Sequence, residues 1–199
     1  GVVYCCFCNN YKYNPELFDA WASILRAVPD SVLWLLANNP YVENRIGIEM
    51  AQRGIAAARL VFGGRLPQAQ YLARYRLADL FLDTHPFNGG TTVSDALWAG
   101  LPVLTWSGQT FASRMAASLL KAVGLPQFIC TSPEQYQSLA IDWGQRRADL
   151  AKLKHTLLTQ AHAQVLFDTP RYVRHLEQVY CTMFDRSRQG QPAAPIRWP

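Results

Sequence analysis

Short apolar runs alternate along this chain with longer stretches whose apolar positions recur at helical spacing. Val2–Cys8, Ser31–Leu36, Arg59–Phe62, Asp79–Leu82, Pro102–Thr105 and Gln127–Cys130 read as strands. They are rich in β-branched residues or Leu and lack strict polar alternation, the pattern of strands buried on both faces. Between them, Pro15–Val28, Arg45–Ala56, Pro67–Arg76, Thr91–Ala99 and Phe111–Val123 read as helices. The first opens on Asn14-Pro15, a capping residue followed by a first-turn proline, and Leu17, Trp21, Ile24, Leu25 and Val28 line one of its faces. After Cys130 the pattern turns all helical, with Pro133–Gln145, Asp149–Gln164 and Pro170–Arg186. Strands alternating with helices predict βαβ units, right-handed crossovers and a parallel sheet. Six such strands predict an α/β fold: a Rossmann-like, doubly wound sheet followed by C-terminal helices, over residues 1–186. Residues 187–199, rich in Gln, Pro and Ala, predict a flexible tail.

Composition narrows the class. Half of the 199 residues are hydrophobic, enough for one domain with a sizeable core. No apolar run approaches the roughly 20 residues of a membrane span. The start, Gly1-Val2-Val3-Tyr4, does not read as a signal peptide and opens almost inside a strand, so a piece of a longer protein is expected. The net charge of +5 comes from scattered residues, some of them at Arg186, Arg188 and Arg197, with no basic cluster interleaved with aromatics. Nucleic acid is therefore not an expected partner, and neither is a membrane. Cys5, Cys6, Cys8, Cys130 and Cys181 form neither a disulfide framework nor paired metal-ligand spacing. Strand alternation sets Cys6 and Cys8 on one face and Cys5 on the other. Structural thiols and a reducing cytoplasm follow.

In open parallel sheets, ligands bind beyond the carboxyl ends of the strands. Two loops there are unusual. After the fourth strand comes Asp83-Thr84-His85-Pro86-Phe87-Asn88-Gly89-Gly90-Thr91-Thr92, in which two glycines lead into a helix. Such a turn lets backbone approach a ligand, and the helix start favours phosphate. Thr91 and Thr92 add hydroxyls, and Asp95, about one turn in, has a carboxylate suited to ribose. A plain Gly-Gly turn with a Thr cap fits the same residues. After the first strand, Lys12 sets a cation at the same sheet edge, or stands there as a surface lysine. The Gly-x-Gly-x-x-Gly and Gly-x-x-x-x-Gly-Lys-Ser/Thr fingerprints are absent, which argues against NAD enzymes and P-loop NTPases. His85 lies in the fourth-strand loop with nothing to fix it as a base, and His155 and His162 lie two turns apart on a helical stretch.

The run Phe7–Pro15, then Trp21, Ala22, Ile24, Leu25 and Val28–Leu36, closely resembles the C-terminal catalytic lobe of the O-GlcNAc transferase and SPINDLY family. So do Leu77–Thr84, Asn88–Gly100 and Ser107–Ser118, and the likeness is collinear from about residue 3 to about residue 184. The resemblance implies one lobe of an inverting glycosyltransferase of the two-lobed GT-B type. It further implies a missing N-terminal lobe facing this one and a tetratricopeptide array that presents protein acceptors. The donor it implies is UDP-N-acetylglucosamine, with GDP-fucose the alternative carried by SPINDLY enzymes. No metal or other cofactor is expected. Residue by residue, Lys12 is implied as the catalytic lysine on the sugar diphosphate, and Asn9 lies where the animal enzymes have a Gln beside the phosphates. Thr91 and Thr92 are implied as the diphosphate pair, Asp95 as the ribose acid, Arg74 as a base-contacting Arg, and Leu66 as a main-chain contact to the base. Gly90 stands where the animal enzyme has a His beside the Thr pair; Tyr71 likewise replaces a His and Gln68 a ribose-contacting Lys. A non-catalytic nucleotide-sugar sensor or interaction module, and a sugar-nucleotide epimerase, are the readings from other classes.

Overall fold

The computed structural model describes residues 1–160 and 164–196; His162 and Arg197 lie outside the described residues. Six parallel strands form one sheet in the order β3-β2-β1-β4-β5-β6. They are β1 (Val2–Cys6), β2 (Ser31–Leu36), β3 (Leu60–Gly63), β4 (Leu80–Leu82), β5 (Val103–Trp106) and β6 (Ile129–Cys130). The doubly wound order expected from the strand–helix alternation is the one observed. Tyr4 pairs with Leu33 on one side and Leu80 on the other, so β1 is the central strand from which the two halves diverge. The chain reverses its direction of travel across the sheet between β1 and β4, and that is where such folds place ligands.

The helices are α1 (Pro15–Ala27), α2 (Pro40–Gln52), α3 (Gln68–Arg74), α4 (Thr91–Trp98), α5 (Met115–Ala122), α6 (Pro133–Gln145), α7 (Arg147–Gln160) and α8 (Thr169–Arg188). α1 packs on α2 and α6, and α4 packs on α5 and α7, giving a helical layer on each side of the sheet. The caps follow from sequence: Asn14 accepts from the Leu17 N–H, Asn39 from Val42 and Ser132 from Gln135, each with a proline at the helix start. Apolar periodicity predicts α2 from Arg45; the Asn39-Pro40 signal starts it five residues earlier. It predicts α5 from Phe111; there the Thr110 and Ser113 side chains bond each other's backbone N–H, holding a turn until Met115.

The core is continuous from α1 through the sheet to α4. Trp21, Tyr4, Tyr75, Tyr136 and Phe81 are its largest buried side chains. Their polar ends are met: the Trp21 indole N–H donates to the Tyr136 hydroxyl (3.4 Å) and the Tyr4 hydroxyl to the Ala140 carbonyl oxygen (2.8 Å). Full burial on both faces holds for β4. β2 alternates, with Val32, Trp34 and Leu36 half-buried. Cys5, Cys6, Cys8 and Cys130 are free and buried, Cys181 free and exposed on α8. Burial pushes the Cys130 thiol up to about 12 and raises those of Cys5 and Cys6 as well, as befits packing groups. α8 buries none of its residues and exposes Tyr172, Tyr180, Met183 and Phe184. Residues 191–196, within the expected tail, turn back along α8, and the Arg186 guanidinium donates to the Ala194 carbonyl oxygen (3.0 Å).

Candidate functional site

The loop leaving β1 and the loop leaving β4 are bound to each other at the sheet's point of reversal. The first carries a 3-10 turn at Asn10–Lys12, closed by the Lys12 N–H donating to the Asn9 carbonyl oxygen (3.1 Å). Asn14, while capping α1, donates its amide to the His85 carbonyl oxygen (2.6 Å). The Lys12 ammonium donates to the Asn88 carbonyl oxygen (3.0 Å) and sits 3.9 Å from the centre of the half-exposed Phe87 ring. That pairing holds the cation at the mouth of the second loop by a charged hydrogen bond and a cation–π contact, rather than leaving it to wave in solvent.

The second loop is fixed from below. Asn88 is fully buried and donates to the carbonyl oxygens of Thr84 (2.7 Å) and Trp106 (3.2 Å). The Thr84 hydroxyl donates to the Phe87 carbonyl oxygen (2.6 Å). Asp83, at the end of β4, is fully buried; its carboxylate accepts from the Gly89 N–H and from the Thr105 hydroxyl, both at 2.7 Å. Burial raises this carboxyl to about 7, against the lowering effect of those two bonds, the Thr84 backbone and the Lys12 charge. A side chain at Gly89 has no room, since a Cβ would stand 2.8 Å from Val93 Cγ2. Gly90 is the residue before α4, and a Cβ on it would run into the Met115 sulfur. Met115 thus fills the space beside the Thr pair. No side chain caps α4, so its first N–H groups open toward this loop, with Thr91 exposed and Thr92 half-buried.

Asp95 lies one turn into α4 and is half-buried. Burial raises its carboxyl, and a hydrogen bond from the Tyr71 hydroxyl works the other way. Tyr71 accepts in turn from the Tyr75 hydroxyl, which also lies 3.2 Å from the Thr92 carbonyl oxygen, so α3 is tied to the start of α4. Burial pushes the Tyr71 phenol up to about 12. Arg74 is buried under the same edge, only 5% exposed. Its guanidinium donates to the Gly64 carbonyl oxygen (3.0 Å) and lies 4.7 Å from the Phe7 ring centre, with Trp34 and Tyr71 beyond. Arg74 Nε and Nη2 and the Trp34 indole nitrogen are buried without a partner among the described residues. Leu66 is exposed in the loop that Arg74 holds.

Lys12, Asn9, Gly90, Thr91, Thr92 and Asp95 therefore gather on the two loops of the β1/β4 edge and the first turn of α4. Leu66 and Arg74 belong to the neighbouring β3–α3 connection, with Arg74 turned inward onto aromatic rings. His85 is stacked on Trp106 (3.8 Å between ring centres, 9° between planes), and its Nδ1 lies 3.0 Å from the Trp106 carbonyl oxygen, a packing role. Sequence reasoning missed the fixing roles of Asp83, Asn88 and Tyr75. Asp83 had a readable signal, a carboxylate ending an apolar strand where a bury-or-bind choice is forced. Among the described residues no group of three or more His, Cys, Asp or Glu could hold a metal ion, and no helix is long and apolar enough to cross a membrane.

A family model for glycosyl transferase family 41 matches residues 1–176. The UDP-N-acetylglucosamine–peptide N-acetylglucosaminyltransferase of Caenorhabditis elegans is 34% identical over 192 residues, covering 96% of this chain and 17% of the relative. The SPINDLY protein of Solanum lycopersicum is 30% identical over 194 residues, covering 95% of this chain and 21% of the relative. Among solved structures, a mutant O-GlcNAc transferase of Thermobaculum terrenum superposes with a TM-score of 0.89 at 32% identity, covering 95% of this chain and 37% of that one.

Proposed function

The chain belongs to glycosyl transferase family 41, and from that premise we propose that it forms the donor-binding wall of a protein glycosyltransferase whose donor is UDP-N-acetylglucosamine. One observation carries the reading: the Lys12 ammonium is held at the mouth of the uncapped α4 N-terminus, across the sheet's point of reversal. A diphosphate meets a cation and a ring of backbone N–H groups there together, and the leaving charge needs no metal for its stabilisation. In this reading Lys12, Asn9, Thr91 and Thr92 receive the diphosphate, Asp95 the ribose hydroxyls, and Leu66 the base through its main chain. Arg74 supports the base loop by holding Gly64. The acceptor is a Ser or Thr of a protein, brought to the cleft by the further chain that the much longer relatives contain. The C. elegans relative's name favours the UDP donor.

GDP-fucose is the rival donor that the sequence resemblance to SPINDLY enzymes implies, although the S. lycopersicum relative's own name gives the UDP donor. Competitive titration of UDP-N-acetylglucosamine and GDP-fucose against the chain decides between them. Tighter binding of the UDP donor is expected, and a preference for GDP-fucose would overturn that assignment. A non-catalytic sensor is the reading from another class, motivated by Gly90 and Tyr71. At Gly90 the substituted position is filled by Met115 rather than open.

A further inference from the structure

Asp83 joins the ends of three strands. Its carboxylate accepts from Gly89 beyond β4 and from Thr105 on β5, and the Cys8 thiol beyond β1 lies 4.0 Å from Oδ1. Its own backbone is held as well, its N–H donating to the Leu104 carbonyl oxygen (2.9 Å) and its carbonyl oxygen accepting from the Tyr136 hydroxyl (3.0 Å). A Cβ on Gly89 would stand 3.2 Å from Oδ1, so the chain turns into α4 directly on the carboxylate. No donor-touching role falls to this residue, because none of its surface is exposed.

We propose that Asp83 is a positioning residue of the donor site: it fixes the turn that aims the first N–H groups of α4, and it takes up a proton when the diphosphate docks. The inference rests on the donor reading above. The titratable groups that face Asp83 are Cys6 and Cys8 from β1 and its exit, Lys12 from the 3-10 turn and Tyr136 from α6. Lys12 is the cation of that set, and its ammonium is bound to Asn88, the residue before Gly89. A docking diphosphate draws this cation outward and brings negative charge to the other side of the turn. Both changes disfavour a second, buried negative charge. Burial already holds the carboxyl near neutrality, so the proton comes from solvent onto Oδ2 at ordinary pH. The Oδ2–H then donates to the Thr105 oxygen, while Oδ1 keeps the Gly89 N–H, and the turn survives the titration.

The test compares the wild-type chain with Asp83→Asn and Asp83→Ala. The probe is UDP-N-acetylglucosamine, with GDP-fucose in parallel, because a sugar diphosphate has no group of its own that titrates near neutrality. Calorimetry in buffers of different ionisation enthalpy reads proton uptake directly. The wild type should take up close to one proton above neutrality, with affinity falling by about tenfold per pH unit there, the limit for a single site. Asp83→Asn retains both contacts without a titrating proton, so its affinity should stay flat with pH and show no uptake. Asp83→Ala should bind tenfold or more weakly at every pH, and amide exchange at Gly89–Thr92 should accelerate in it but not in Asp83→Asn. An Asp83→Asn chain with the wild-type pH slope, or Asp83→Ala exchange unchanged at Gly89, overturns the inference. Failure of the wild type to bind either donor overturns the donor reading instead, and the exchange comparison still reads the fixing role.

Discussion

Removing one hydroxyl should tighten nucleotide binding. In the free protein the Tyr71 hydroxyl faces Asp95, the acid assigned to the ribose, and lowers its carboxyl. With its proton directed to Asp95, the same hydroxyl accepts from Tyr75, and in its absence the Tyr75 hydroxyl still has the Thr92 carbonyl oxygen within reach (3.2 Å). Tyr71→Phe keeps the ring over Arg74 and the edge contact with Tyr75, and removes only the donor that competes with the ribose. A hydrogen bond to a charged group contributes roughly 1.5–3 kcal/mol, and a half-buried carboxylate sits at or below the low end of that range. Relief of the competition is then worth about 1 kcal/mol, or about fivefold in the dissociation constant. Calorimetric titration of UDP at neutral pH reads it, with urea unfolding as a control for an expected loss of about 1 kcal/mol in stability. The Tyr71 bond lowers the Asp95 carboxyl, so the variant's carboxyl rises and protonates earlier on acidification. The gain should accordingly shrink toward acidic pH. Weaker binding by Tyr71→Phe at neutral pH would refute the reasoning and assign the Tyr71 hydroxyl to the ligand itself.

Other outcomes follow from the same geometry. Gly89→Ala forces a Cβ against Val93 and the Asp83 carboxylate, so it should cost about 1–3 kcal/mol in urea unfolding and weaken UDP binding beyond that loss. Asp83 is raised to about 7 by burial, so the native state holds a proton that the unfolded chain has released between its ordinary value of 3.8 and about 7. Its contribution to stability therefore falls as pH rises through that window, and Asp83→Asn should flatten the slope measured by urea unfolding at pH values on either side of it. Residues 1–199 alone should bind UDP yet leave a radiolabelled protein-transfer assay at background, because positioning of the acceptor, worth roughly 7–11 kcal/mol, needs a facing wall.

The sheet was legible because its signal is redundant. Each strand is an apolar run ending in a turn residue, and Asn14-Pro15 marks a helix start by two independent means. The Asn39-Pro40 start was misjudged because Tyr41 and Val42 belong to a weakly amphipathic helix whose periodicity shows only further on. At the site, cations, hydroxyls and glycines could be read, because their types are rare at strand ends. Partnerships could not. Nothing in the spacing joins Asp83 to Thr105 or Tyr71 to Asp95, since those contacts arise from sheet order and helix crossing. Arg74 illustrates the limit: its position beside the base loop follows from sequence likeness, while its inward stack on Phe7 is a tertiary fact.

Calorimetric titration of UDP against the wild-type chain and Lys12→Ala tests most directly whether the β1/β4 edge is a diphosphate site. A charged hydrogen bond of roughly 1.5–3 kcal/mol corresponds to about a tenfold or greater loss of affinity in Lys12→Ala, with the fold unaltered by circular dichroism. Equal affinity of the two proteins for UDP would contradict the account, because the cation held on Asn88 and Phe87 would then play no part in binding.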